Sequence, residues 1–498
     1  MPQLRRLAAA LAAAAPVLGW AQDSLTIYSS AAPGTLDARS LANSGEGASI
    51  PGYAVVREER SFALKSGHNT LRVEDVPAMI DPTTVAFTSL TDPRGTRVVE
   101  QSFEFDLTST AKLLSRYLGR EITVEQVRGQ GVESITGTLV GTQGGLTLKQ
   151  ADGSVRIVSS NAGVRLPSLP GGLISKPALV WDIEAATAGN QKARLSFQAG
   201  GMTWWADYNL TYSEPKPETC KVDVGAWVTI VNQSGASFDG ARVKLIAGDV
   251  QRAQPRGNIY PQALAAPRME AKVADGFVEK AFFEYHMYTL GRPASLAQNS
   301  TKQIELFPTA PAVGCEKTLV YQGQAMPYYR GGPVTDRNYG VQGNRKVDIY
   351  LRVKNSKANG LGVPLPAGRV RVSRADEADG ALEFIGEDVI DHTARDETVQ
   401  VKLGSAFDVV GERKQLDFRV DSSAHWIEED VEIKVRNQKP DEAVRVHVRE
   451  NLYRWSNWTI LRHSGGEFVK DDSRTIDFPL RIAAKSEAVV RYTVRYTW

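Results

Sequence analysis

Hydrophobic residues in this chain recur at every second position, and this spacing constrains the fold more than any other feature of the sequence. Val431, Ile433 and Val435 alternate with charged residues, and similar alternation occurs at 444–449 and 490–498. Successive side chains of a β-strand point to opposite faces. Each run therefore predicts a strand with one buried and one solvated face.

The pattern as a whole predicts a mainly β protein of several antiparallel β-sandwich (immunoglobulin-like) modules, with a small N-terminal β-barrel-like region and one short helix. The helix is expected at about 109–118, where Ala111 and Leu114 follow helical spacing and Gly119 fits the left-handed position after the end. Short runs separated by glycines at 120–160 predict either a small barrel of about five strands or a plain sandwich meander.

Clusters of proline and glycine set the limits of the predicted domains. The N-terminal β region spans 22–165, a middle β-sandwich spans 166–340 and a C-terminal β-sandwich spans 341–498. Residues 252–277 are rich in proline and alanine, which predicts a long loop or insertion within the middle domain.

Residues 1–21 have the composition of a secretory signal peptide. Arg5 and Arg6 precede an uncharged stretch at 7–18, and the small residues Gly19 and Ala21 precede the expected cleavage point. The apolar stretch is shorter than the ~20 residues that a membrane-spanning helix needs. We therefore expect a periplasmic or secreted protein, cleaved near Ala21 and not associated with a membrane.

The charge balance argues against nucleic acid as a partner. The chain has 59 basic and 57 acidic residues, and residues 1–21 contain two of the basic ones and no acidic one. Removal of this segment leaves equal numbers of each sign. No long-range field therefore draws the protein to a polyanion such as nucleic acid.

Cys220 and Cys315 are the two cysteines of the chain. Each begins a strand-like run, so neighbouring strand starts would place them within reach of a disulfide in an oxidising compartment. Two separate thiols are the alternative. A zinc site built on several thiolates is not expected with two cysteines, and we expect no metal and no cofactor.

Three strand-like runs end in the same way, at Asn232, Asn355 and Asn437. Each asparagine is followed by polar residues with glycine or proline nearby and then by another strand. Asparagine side chains bond to the backbone of their own turn. The pattern predicts a recurring turn of repeated sandwich modules, and three equivalent binding loops are the functional alternative.

Motifs of known catalytic chemistry are absent from the sequence, including nucleophile elbows, paired zinc-binding histidines and phosphate-binding loops. The six histidines are scattered. Asp388, Asp391 and His392 cluster beside Glu387, a combination that suits acid–base work or a hard cation. A turn in which these side chains cap the backbone is the simpler interpretation, and no catalytic residue is assigned.

The segment 325–345 is the predicted binding site. It combines aromatic residues, arginine and glycine, which are the residues that often recognise glycans and proteins from loops. The residues predicted to bind are Tyr328, Tyr329, Arg330, Arg337 and Tyr339. An inter-domain linker would have the same composition, and this alternative remains open.

Several motifs together resemble a bacterial family catalogued as domain of unknown function 4139, relatives of which are labelled mucoidy-inhibitor-like. The motifs are 202–208 (MTWWADY), 225–235, 283–290 and 384–388, and the resemblance covers roughly 25–498. It implies an exported β-rich protein and no catalytic residue. The large rings of these motifs, at Trp204, Trp205, Tyr208 and Trp227, are expected mostly to pack in a sandwich core.

These features favour a non-catalytic cell-envelope or extracellular binding or structural protein. Its expected partner is another envelope protein or a polysaccharide. A carbohydrate- or envelope-active enzyme with two carboxylates in a cleft is the first alternative. An outer-membrane β-barrel is the second, because an alternating strand ends at the aromatic residue Trp498.

Overall fold

The structure of the protein is a computed structural model. It describes residues 23–28, 50–104, 110–128, 131–168, 177–216, 219–248, 250, 277–324, 331–341 and 343–498. The expected signal peptide, most of the predicted loop 252–277 and part of the predicted binding site lie outside these residues. The described residues are mainly β-strands arranged in several sheets.

The N-terminal sheet combines the first strands of the chain with strands from its middle. Its order over the described residues is β16 (Phe277–Phe282), β17 (Tyr285–Leu290), β15 (Phe238–Ala247), β1 (Ser24–Tyr28), β2 (Tyr53–Leu64), β12 (Gly189–Gly200) and β4 (Ile80–Ser89), with β18 (Ala294–Leu296) also paired to β15. Strand β1 is parallel to β15 and antiparallel to β2. Alternation in β1 places Leu25 and Ile27 in the core.

Two smaller sheets are built from the first third of the chain and the strand that follows it. The order of the first is β3 (Gly67–Val73), β11 (Ala178–Ala185) and β5 (Thr96–Glu104). The second, here called the small sheet, has the order β10 (Gly163–Arg165), β6 (Glu121–Arg128), β7 (Gly131–Gly141), β8 (Leu146–Lys149) and β9 (Val155–Val158).

The long sheet runs through the rest of the molecule. Its main order over the described residues is β22 (Leu382–Ile390), β21 (Gly368–Ala375), β13 (Met202–Lys216), β14 (Thr219–Asn232), β19 (Ser300–Tyr321), β20 (Lys346–Lys354), β23 (Thr398–Asp421), β24 (Trp426–Asn437), β29 (Ser486–Thr497) and β26 (Trp458–Ser464). Strand β25 (Val444–Asn451) branches from β19 and is followed in the pairing by β28 (Thr475–Ile482) and β27 (Val469–Lys470).

The buried apolar residues form one large core and two main smaller ones. Leu25 of the N-terminal sheet, Trp181 of β11 and Trp204 of β13 belong to the same large core. A second core lies in the C-terminal half of the long sheet and includes Val431 and Ile433. Each fully buried side chain of this size contributes about 1.5–3 kcal/mol to folding.

The predicted helix is confirmed as α1 (Thr110–Arg116), and it leads into the small sheet. Gly119 has φ +78°, the left-handed conformation expected after the helix end. Tyr117 packs with Ile122 and Leu139 in the core of this unit. Strands β10 and β9 are the two edges of the small sheet, so within the described residues it is an open sheet and not a closed barrel.

The predicted domain limits near 165 and 340 do not coincide with the limits of the sheets. Strand β2 pairs along its whole length with β12, although the two lie on opposite sides of residue 165. Strand β13 pairs in parallel with β21, and these lie on opposite sides of residue 340. Clusters of proline and glycine mark turns, but they carry no information about which distant strands pair.

Cys220 and Cys315 face each other across β14 and β19 and form a disulfide. Their Cα atoms are 4.9 Å apart. The bridge therefore links two adjacent strands of the long sheet, at the edge of the large core.

The aromatic motif at 202–208 divides between the two faces of the long sheet. Trp204 and Tyr208 lie in the large core, as expected. Trp205 is also buried, but in a small cluster with Ile50 and Val231. Core packing is the wrong expectation for Trp227, which is 40% exposed. It shares its face with Val231 and not with Ala226, Val228 and Ile230, which point into the core.

The three asparagines at strand ends make the same pattern of buried hydrogen bonds to backbone carbonyl groups. Each is at most 1% exposed. Asn232 donates to the carbonyl oxygens of Ala236 and Leu296, and Asn437 donates to those of Glu442 and Ala483. Each side chain therefore joins its own turn to the segment that leads into a later strand.

The third copy, Asn355, donates to the carbonyl oxygens of Val363 and Ala394. A residue with positive φ precedes the incoming strand in each copy, at Asn299, Asp396 and Lys485. The pairs of strands closed in this way are β14 with β19, β20 with β23 and β24 with β29. These buried contacts agree with a structural role and leave the asparagine side chains no access to a ligand.

Candidate functional site

A cleft of about 750 Å³ lies where β17, β15, β1, β2 and β12 run side by side in the N-terminal sheet. Arg57, Arg242 and Lys244 line it from the face opposite the core, since their neighbours Val56 and Val243 are fully buried. The remaining lining residues are Ser24, Glu58, Glu59, Arg194, Thr289, Leu290, Gly291, Arg292 and Pro293.

The unequal lengths of the strands explain the position of the cleft. Strand β1 has five residues and begins at Ser24, where it pairs with Arg57 of β2 and Arg242 of β15. Both neighbours continue past this point, β2 to Leu64 and β15 back to Phe238. Among the described residues no strand fills the space between them beyond Ser24, and the end of β1 therefore opens the cleft.

The lining is strongly cationic, because five of its twelve residues are Arg or Lys and two are Glu. Arg194 pairs with Glu59 at 2.7 Å. Within the described residues, Arg57, Lys244 and Arg292 have no carboxylate partner. Positive charge without a counter-ion in a cleft with low-dielectric walls attracts anions.

The paired carboxylates do not cancel this field. Glu58 forms its ion pair with Arg60, outside the lining, at 2.9 Å. Burial raises the pKa of Glu58, an effect that Arg60 opposes. Burial also raises the pKa of Asp23, at the start of β1. Glu58 is thus compensated by Arg60, and the five cations of the lining outnumber its two carboxylates.

In the cleft, a serine of β1 lies between an arginine of β15 and an arginine of β2. Ser24 is the register partner of Arg57 on one side and of Arg242 on the other. Neighbouring strands are about 4.8 Å apart, which places the Cα atoms of the two arginines about 10 Å from each other. Planar guanidinium groups at this spacing suit a carboxylate or phosphate group held above the serine.

The structure describes two of the five predicted binding residues, Arg337 and Tyr339. Tyr328, Tyr329 and Arg330 lie outside the described residues. Arg337 is exposed, and Tyr339 is half-buried with its ring against Tyr453. Neither Arg337 nor Tyr339 lines the cleft.

Two buried side chains, Arg454 and Tyr453, anchor the described part of the predicted binding loop, and Tyr453 donates to the carbonyl oxygen of Tyr339 at 3.0 Å. Arg454 donates to the carbonyl oxygens of Val334, Asp336 and Tyr339 at 3.0, 2.7 and 3.2 Å. It also pairs with Glu429 at 2.8 Å, and both side chains are at most 1% exposed. A charge as deeply buried as this requires such partners. The loop is therefore held at fixed points.

A second buried ion pair lies in the same core. Arg413 and Glu450 are 2.9 Å apart, and Glu450 also accepts a hydrogen bond from Tyr492. Glu429 and Glu450 are thus each bonded to a guanidinium group inside the protein. We assign these carboxylates to structure, because each one is compensated by its partner and closed off from solvent.

The acidic cluster near His392 caps the backbone. Asp388 accepts from the backbone N–H of Lys402 at 2.7 Å, and His392 accepts from that of Ala367 at 3.0 Å. Glu387 pairs with Arg371. In the part of the chain that the structure describes, no group of three or more His, Cys, Asp or Glu side chains has the geometry to hold a metal ion.

The fold and the cleft define the class: a protein of several β-sheets with a cationic surface cleft. Comparison with protein-family models, with curated proteins and with solved structures found no match. None of the described helices is long and apolar enough to cross a membrane.

Sequence reasoning missed the cleft. The run Arg57-Glu58-Glu59-Arg60 is charged along a strand, a pattern that usually marks a solvated face. Its partner cations at Arg242 and Arg292 are distant in the chain. They are brought together by the parallel pairing of β1 with β15, and no local pattern indicates this pairing.

Proposed function

We propose that this protein is a non-catalytic binding protein of the cell envelope or extracellular space and that it holds an anionic ligand in the cleft. The observation that carries the proposal is a set of cations around one opening, Arg57, Lys244 and Arg292, that have no carboxylate partner among the described residues. Its volume of about 750 Å³ is within the range of small-molecule sites.

The proposed location has two supports. The composition of residues 1–21 is that of a signal peptide. The Cys220–Cys315 disulfide suits an oxidising compartment. We also propose, from the sequence motifs around 202–208 and 225–235, that the chain belongs to the domain of unknown function 4139 family.

Binding to soluble anionic polymers tests the proposal. The mature chain is measured by biolayer interferometry against carboxylated, phosphorylated and sulfated polymers, with neutral dextran as the uncharged reference. We expect binding to at least one anionic polymer and none to dextran. Arg57→Ala combined with Lys244→Ala should weaken binding by about 100-fold or more, because charge-assisted hydrogen bonds contribute about 1.5–3 kcal/mol each.

The matched control removes the same charge elsewhere. Lys149 and Lys354 are exposed and lie outside the cleft. Lys149→Ala combined with Lys354→Ala should change the affinity less than twofold. Equal losses in the two double variants would show that net charge alone matters, and absence of any anion binding would refute the proposal.

The loop 325–345 is a second, independent proposal for contact with a protein or polysaccharide partner. Its support is the aromatic and arginine content, together with the anchoring of Tyr339 by Arg454. Tyr328→Ala combined with Tyr329→Ala should reduce retention of partners from an envelope extract while the melting temperature stays the same. Unchanged retention would indicate that the loop is a linker and not a binding site.

A further inference from the structure

The cationic side chains of the cleft start from backbone positions that lie roughly in a line across the strands. They are carried by β15, β2 and β12 and by the turn after β17. Five adjacent strands, from β17 to β12, span about 19 Å at the usual strand spacing. A single carboxylate or phosphate group bridges two of these cations at most. The line therefore fits an extended ligand that crosses the strands and carries several charges.

The walls of the cleft also contain groups that disfavour a ligand with charge at every position. Glu59 pairs in register with Arg194, which it reaches at 2.7 Å, and it lies two residues from Arg57 on the same face of β2. Like charges at contact distance are destabilising, and the low dielectric of a cleft strengthens the effect. An anionic group placed beside Glu59 is repelled, whereas a hydroxyl group there donates a hydrogen bond to it.

Two hydroxyl groups lie beside the cations in the rest of the line. Ser24 separates Arg57 from Arg242, and Thr289 is paired in register with Lys244. Serine and threonine both donate and accept, so they suit the hydroxyl groups of a sugar. Pro293, which is exposed beside Arg292, adds an apolar surface for the face of a sugar ring.

We infer that the ligand of the cleft is an acidic polysaccharide, in which anionic groups are separated by hydroxyl-bearing units. The inference rests on the proposed function, since it names the class of anion that the cleft holds. It makes Glu59 a specificity-determining residue. This side chain accepts from sugar hydroxyl groups and rejects ligands of continuous charge.

The experiment compares five soluble probes at the same concentration of charge: polygalacturonate, hyaluronate, inorganic polyphosphate, poly-glutamate and the galacturonate monomer. We expect the two polysaccharides to bind at least tenfold more tightly than polyphosphate, poly-glutamate and the monomer. Glu59→Gln should raise the affinity for polyphosphate at least threefold and leave that for hyaluronate the same or lower. Lys149→Ala combined with Lys354→Ala is the control for net charge.

The outcomes separate this inference from the proposed function. Polyphosphate binding as tightly as the polysaccharides, or the monomer binding as tightly as the polymers, would overturn the inference while the cleft remains an anion site. Tighter binding of poly-glutamate would assign the cleft to an acidic peptide. If Glu59→Gln changed the affinity for all probes by the same factor, Glu59 would not determine specificity. Failure of every anionic probe to bind would overturn the proposed function itself.

Discussion

Replacing Asn437 with alanine should destabilise the C-terminal half of the long sheet severely for a single polar substitution. Its amide group donates to the carbonyl oxygens of Glu442 and Ala483 at 2.8 and 3.0 Å and accepts from the N–H of Lys439 at 3.1 Å. The side chain is fully buried. Asn437→Ala therefore leaves these three part-buried backbone groups without their side-chain partner.

The magnitude follows from these contacts. A fully buried polar group that loses its partner costs about 1–3 kcal/mol and a part-buried group falls at the lower end, so the three together predict a loss of about 3 kcal/mol. Asn437→Asp keeps the acceptor but replaces the donor with an oxygen that faces carbonyl groups, and it should cost at least as much near neutral pH. Asn232→Ala and Asn355→Ala should behave alike, because they break the same kinds of bond.

Hydrogen exchange on the full mature chain provides the measurement, because it reports the opening of each region separately. Amides of β24, β25 and β29 should lose protection in Asn437→Ala, while those of β1 and β2 keep theirs. Asn457 is exposed and donates to the Thr497 hydroxyl, so Asn457→Ala serves as the control and should cost less than about 1 kcal/mol. A loss below 1 kcal/mol at Asn437 would refute the view that its amide closes the module.

Three further predictions follow from other contacts. Reduction of the disulfide between β14 and β19 should lower the free energy of unfolding by about 4 kcal/mol, because the bridge closes a loop of 95 residues; an unchanged calorimetric transition in reductant would contradict this. The hydrogen bond from His447 to Asp477 raises the pKa of the histidine, so its stabilisation is complete below the ordinary pKa of 6.5 and is lost as the pH rises through the folded-state value. His447→Gln should therefore lower the melting temperature more at about pH 5.5 than at about pH 8.5, and an equal loss at both would count against the pair. Arg454→Leu should speed tryptic cleavage after the exposed Arg337 at least tenfold, since it frees three backbone carbonyl groups of the loop; a cleavage rate like that of the unaltered chain would show that the loop is held by other contacts.

Local features of the fold could be predicted from the sequence because they depend on neighbours in the chain. The alternation at Val431, Ile433 and Val435 correctly places these residues in a core. The helix that ends before Gly119 was also predictable, because spacing and a glycine at the left-handed position are local signals. Asn232 and Asn437 could be recognised as a repeated turn, since each bonds to its own turn.

Features that depend on distant pairing could not be predicted. Trp227 was misplaced because the apolar run 226–231 hides which residues share a face. The cleft depends on Arg57 and Arg242 meeting across β1, and nothing near either residue in the sequence indicates that β1 inserts between β2 and β15. The loop 325–345 was predicted to bind a partner from its composition alone. Composition indicates which chemical groups a segment carries, but not which residues lie beside it in the folded protein.

The repeated modules and the cleft divide the molecule into parts that should respond differently to a ligand. Each module closes its strand ends with a buried asparagine, whereas among the described residues of the N-terminal sheet β1 begins at Ser24 beside a space lined by cations. An anion that crosses this space bridges strands from two distant parts of the chain. At a concentration of 100 times its Kd, it should stabilise these strands by about 2.7 kcal/mol. Hydrogen exchange should then slow in β1, β2 and β15 but not in β24 and β25. Equal protection of both regions would mean that the anion acts on the whole protein and not on the cleft.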